Sequence, residues 1–128
     1  MTKFKSSSVA ESIFNAIRGL KLAFFSQRNF QIETFIAIIA IILALLLHFS
    51  HTDFCILIIT IALVLICEFI NSVIEFTLDA VYKNNYSKLV EMAKDMSAGM
   101  VLFVAFISVI IGLVLYSPYL FKFIKSII

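Results

Sequence analysis

The stretch Cys67-Glu68-Phe69-Ile70-Asn71-Ser72-Val73-Ile74-Glu75-Phe76-Thr77-Leu78-Asp79 decides how this chain folds. Its polar members Glu68, Asn71, Glu75 and Asp79 are spaced three, four and four residues apart, so a helix sets all four on one face. The apolar run 54–67 before them covers only about 21 Å at the helical rise. Glu68 is therefore expected near the edge of a membrane's hydrocarbon, with Glu75 and Asp79 progressively nearer water. A carboxylate on a membrane helix is costly unless it meets a partner, a metal or water, and such residues point to function by default.

Working outward, the composition supports a membrane setting. The 128 residues are 62% hydrophobic, with a mean hydropathy of +1.10, far above soluble domains. Net charge is only +2 and the ten basic residues are scattered without aromatic interleaving, so nothing suggests a nucleic-acid partner. Cys55 and Cys67 fall in one apolar segment, about 18 Å apart on a continuous helix, too far for a disulfide. They read as packing residues. His48 and His51 sit alone in a short connection, without zinc spacing. The N-terminus lacks an early apolar core with a cleavage site, so no removable signal peptide is expected.

The rest of the chain completes the expected architecture: an all-α membrane protein with an N-terminal amphipathic surface helix and three transmembrane helices in one domain. Over 8–28, Val9, Ile13, Ile17, Leu20 and Phe24 recur at helical spacing, while Arg18 and Lys21 are placed to reach headgroups. Residues 34–52 carry no charge, and the unbroken apolar run 35–47 within them marks span one, assigned to 30–49. A short polar connection returns the chain antiparallel into span two, 54–83. Span three is assigned to 88–118, ended or kinked at Pro118, with 119–128 an interfacial tail. Eight of the ten basic residues precede span one or lie between spans two and three, which puts that side in the cytoplasm; Lys122 and Lys125 fall opposite.

The stripe suits phosphoryl transfer. A half-buried carboxylate near a hydroxyl can accept its proton, and a second one two turns on can hold magnesium against phosphate oxygens. Glu68 and Glu75 are placed to divide those roles. Lys94 can neutralise charge on the transferring group, and Asp95 can orient it or bind sugar or metal. The structural alternative is an ion-paired face between helices. No Walker GxxxxGK[ST] motif or Gly-rich cradle is present, so any nucleotide is held in another way. Asp79 either completes the site or pairs with Lys83 four residues on, the pair being preferred.

Two segments carry a family resemblance: Glu68-Phe-Ile-Asn71-Ser72-Val-Ile-Glu75 followed by Asp79, and Ala93-Lys94-Asp95-Met-Ser-Ala-Gly-Met-Val-Leu. They resemble the ELLN[ST]AIE…D and AKD…A[AG]xVL signatures of the small bacterial diacylglycerol kinase and undecaprenol kinase family. Arg18-Gly19-Leu20 and Arg28-Asn29-Phe30 extend the likeness through nearly the whole chain. The resemblance implies a homotrimer of three-span subunits in the bacterial plasma membrane, transferring the γ-phosphate of ATP to a membrane lipid hydroxyl with magnesium. It implies that Glu68 is the catalytic base at the lipid, Asn71 supports catalysis, Glu75 binds metal and nucleotide phosphates, and Lys94 and Asp95 contact nucleotide. Glu33 matches an acidic family position and is a candidate metal ligand. Ser97 and Ala98 are candidate lipid contacts, and Asp79 a further nucleotide candidate.

Gln27 departs from the family pattern, which usually places a Glu there as the second metal carboxylate. A neutral carbonyl oxygen should bind magnesium more weakly, which implies retained activity with a raised magnesium requirement and Glu33 or a partner subunit's acid as substitute. Asn15 and Asn85-Tyr86-Ser87 also replace family residues at candidate nucleotide contacts. Three functions follow: a diacylglycerol kinase, an undecaprenol kinase, or a degenerate membrane component that has lost a metal ligand. The retained Glu68 argues against the last.

Overall fold

A computed structural model of the chain describes residues 8–83, 85 and 87–128. It contains four helices: α1, Val9–Ser26; α2, Arg28–Leu46; α3, His51–Tyr82; and α4, Lys88–Ile127. The last three are long and apolar enough to cross a membrane. At 1.5 Å per residue α2 measures about 28 Å, close to the roughly 30 Å of bilayer hydrocarbon, while α3 and α4 reach about 48 and 60 Å. The surplus of α3 carries the polar stripe.

Capping fixes the ends. Ser8 accepts a hydrogen bond from the Glu11 backbone at 3.2 Å to start α1, and Ser50 accepts one from Asp53 at 3.2 Å to start α3. Between α2 and α3, His48 takes a left-handed conformation with φ 55°. Phe49 N–H then reaches back to Ala44 O, and His48 N–H to Leu45 O. This is a Schellman closure with His where Gly is usual, and Phe49 packs on Ala44 as its apolar contact. His48 is thus a turn residue.

Helix α4 packs mainly along α3, α2 packs on α3 and meets α4 where Tyr116 reaches Ala40, and α1 meets α2. The small core, Ala44, Leu57 and Leu115, sits towards the α2–α3 turn and is flanked by Phe49, Phe54 and Tyr116. Most other large apolar side chains face outward, as expected of helices solvated by lipid. Cys55 is exposed rather than packed within the chain.

The helix does not stop at Pro118, and the residues assigned to a separate tail continue it to Ile127. Proline removes the donor that would bond to Val114 O. Ser117 supplies a substitute, its hydroxyl donating to that same carbonyl at 3.2 Å.

Candidate active site

The polar stripe of α3 faces α2 and α4 near the α3–α4 connection. Glu68 is only 2% exposed, Asn71 6% and Ser72 3%, whereas Glu75 is half-buried and Asp79 exposed. Burial within the chain therefore falls from Glu68 to Asp79 along one face of α3. Ser72 is quiet chemically, its hydroxyl donating to Glu68 O at 2.9 Å.

Helix α4 meets the stripe in antiparallel order. Buried Ser97 donates its hydroxyl to Asn71 Oδ1, which turns the Asn71 amide nitrogen towards Glu75 Oε1 at 3.5 Å. One turn nearer the α3–α4 connection, Lys94 Nζ lies 2.5 Å from Asp79 Oδ1. Asp79 therefore pairs across helices, not with Lys83. The reason is local: Lys83 ends α3 in a left-handed conformation, φ 49°, and leaves the helical face an i,i+4 pair requires.

From α2, the Asn29 side chain approaches Glu68 as a hydrogen-bond donor, with Phe30 edge-on to Phe69 at 6.4 Å between centroids. Glu33, one turn further along α2, is close enough to feel the charge of Glu68. Among the described residues, Oε2 of both Glu33 and Glu68 is buried without a hydrogen-bond partner. Leaving such oxygens unpartnered is costly, so the pair is poised for a group absent from the chain itself.

Two spaces adjoin these groups. A polar recess of about 360 Å³ lies between the facing ends of α3 and α4, lined by Asp79, Tyr82, Asn85, Ser87, Glu91, Lys94 and Asp95 among others. An apolar groove of about 300 Å³ runs between α2, α3 and α4, with Glu33 in its wall. Val64 and Leu65 line it one turn before Glu68.

The structure thus gathers Glu68, Asn71, Glu75 and Ser97 into one cluster, and Asp79, Asn85, Ser87, Lys94 and Asp95 around the recess. It does not bring in every candidate. Asn15 is exposed on α1 and lines neither space, and Ala98 is exposed while its neighbour Ser97 turns inward. Gln27 is the junction between α1 and α2, and among the described residues its side chain makes no hydrogen bond. Tyr86 lies outside the described residues.

Asn29, Tyr82 and Glu91 had no assigned role. Tyr82 falls three residues after Asp79 and Glu91 three before Lys94, so the helical spacing that selected the stripe also reaches them. Asn29 opens an apolar segment, the signal being an amide at a membrane edge.

For magnesium, the donor set is one of oxygens: Glu75 with the unpartnered Glu68 and Glu33 nearby. No group of three or more potential ligands is assembled among the described residues. Magnesium commonly takes one or two carboxylates and completes its shell with substrate phosphates and water, so the arrangement fits.

The family model for prokaryotic diacylglycerol kinase matches residues 14–116. A protein from Synechocystis sp. named diacylglycerol kinase is 39% identical over 100 residues, covering 78% of this chain and 57% of that relative. The chain therefore spans little more than half of that protein. An undecaprenol kinase from Bacillus subtilis is 33% identical over 108 residues, covering 84% of this chain and 87% of the relative.

Proposed function

The chain belongs to the prokaryotic diacylglycerol kinase family, and on that footing we propose that it phosphorylates diacylglycerol to phosphatidic acid with ATP and magnesium. It works as a homotrimer in the bacterial plasma membrane, with α1 on the membrane surface and the site facing the cytoplasm. The observation that carries this is Glu68: a carboxyl 2% exposed, with one oxygen unpartnered, beside an apolar groove.

The acceptor lipid lies with its chain in the groove and its hydroxyl at Glu68. Glu68 takes the hydroxyl proton as the lipid oxygen bonds to the γ-phosphorus and the bond to the bridging oxygen of ADP breaks. The nucleotide occupies the recess, where Lys94 exchanges Asp79 for phosphate oxygens and Asp95, Asn85, Ser87 and Tyr82 offer polar contacts. Asn71, held by Ser97, fixes the orientation of Glu75, which with Glu33 or Gln27 would hold the magnesium that neutralises phosphate charge.

A second acceptor, undecaprenol, is supported by the likeness to the Bacillus subtilis enzyme along most of both chains. Purified protein in lipid, labelled ATP and both acceptors distinguish the two. Label in diacylglycerol is expected. Label in undecaprenol alone would transfer the assignment, and label in neither at any magnesium concentration would end the kinase assignment. Crosslinking in bilayers should yield trimers; monomers alone would refute that assembly.

A further inference from the structure

We propose that Tyr116 is the floor of the apolar groove and sets the length of acyl chain the acceptor lipid can seat there. This rests on the lipid-kinase function above and adds a residue that selects among its substrates.

The groove has a polar end and a closed end. Glu33 stands at the first, beside Glu68. At the other, Tyr116 donates its hydroxyl to Ala40 O at 2.5 Å and packs its ring 4.7 Å from that of Phe49, so it is pinned to two elements. Between them the walls offer no free donor: Thr60 is bonded to Ile56 O at 2.8 Å and Ser108 to Ala105 O at 2.7 Å. The lining therefore suits hydrocarbon. From Ala105 to Tyr116 the α4 wall measures about 16 Å, roughly half the hydrocarbon thickness, which is the depth of one leaflet and hence of one acyl chain. The Glu33 carboxyl in its wall, beside Glu68, favours a lipid with a polar end as occupant.

Gly112, one turn before Tyr116, also lines this space, and a Cβ built there meets nothing within 4 Å. A larger residue at 112 would start in open space and reduce the groove, whereas removing the Tyr116 ring would deepen it. The two changes act in opposite directions on one property.

The test measures kcat/KM for diacylglycerols of graded acyl length in wild type, Tyr116→Ala and Gly112→Leu. An acyl chain moving from bilayer into the groove leaves no water, so steric fit and packing set the selection. Tyr116→Ala should move the optimum to longer chains and raise the long-to-short ratio of kcat/KM through KM, and Gly112→Leu should move the optimum to shorter ones. If Tyr116→Ala fails to fold, the Gly112→Leu shift alone carries the test. An unmoved optimum in Gly112→Leu, with lipid still labelled, overturns the floor while leaving the kinase intact. The same unmoved optimum with a changed oligomer distribution would assign the groove to a second copy of the chain. A wild type that labels no lipid removes the kinase function and this proposal together.

Discussion

The two ends of the helical bundle both carry polar side chains, but they treat them differently. At the α2–α3 turn, Asp53 accepts from Tyr119 and from Ser50 at 2.8 Å, Tyr119 in turn accepts from Ser50 N–H at 2.9 Å, and Phe49 stacks on the Tyr119 ring at 4.3 Å. These polar groups have partners within the chain. At the α3–α4 end, carboxyl oxygens of Glu68 and Glu33 are buried without one. A satisfied network holds helices together; one left incomplete in a buried place is available to a substrate.

That contrast can be broken most forcefully at Glu68. Glu68→Gln preserves shape but cannot accept the proton, so kcat should fall about 10²–10⁴-fold while the protein remains folded. Labelled-ATP turnover beside a thermal melt would decide it, and retained turnover would make the buried carboxyl merely structural. Next comes Ser97→Ala, which strips Asn71 Oδ1 of its donor in a buried place. A stability loss of about 1–3 kcal/mol is expected, with a lower kcat as Glu75 loses its oriented neighbour. Chemical denaturation and turnover measured together separate the two effects.

Gln27→Glu should lower the magnesium concentration for half-maximal activity, and superimposable titrations would refute a role for this position. Breaking the half-exposed Lys94–Asp79 pair with Asp79→Asn should change stability by at most about 1 kcal/mol. It should instead shift the KM for ATP, measured at fixed lipid. The smallest effect belongs to the opposite end: Tyr119→Phe should lower the melting temperature slightly and leave the kinetic constants unchanged. A kinetic effect there would show that the two ends are not separate in function.

Much of this arrangement could be read from the residues, because hydropathy runs reveal membrane spans and three-and-four spacing reveals a helical face. Spacing alone put Glu68, Asn71 and Glu75 on one face, while the roles proposed for them rest on the family resemblance. The partner of Asp79 did not follow, since an i,i+4 rule assumes the helix continues, and Lys83 turns left-handed instead. Pro118 left an end or a kink open from sequence; the helix continues through it, and the neighbouring serine hydroxyl donates to the carbonyl left without its usual partner. The groove and its closed end were also hidden, because they depend on which faces of three helices meet, and nearly every face here is apolar.

The α3–α4 contacts of the candidate site lie close together along the chain. Lys94 meets Asp79 across 15 residues, whereas Tyr116 reaches Ala40 across 76. By loop-closure entropy alone the longer link costs roughly 1.4 kcal/mol more to form. The α3–α4 hairpin should therefore close ahead of the aromatic clasp that joins α4 to α2. During biogenesis the α3–α4 part of the candidate site, Asn71 with Ser97 and Asp79 with Lys94, would then align first. Its α2 side at Asn29 and Glu33, and the apolar groove, would be finished last.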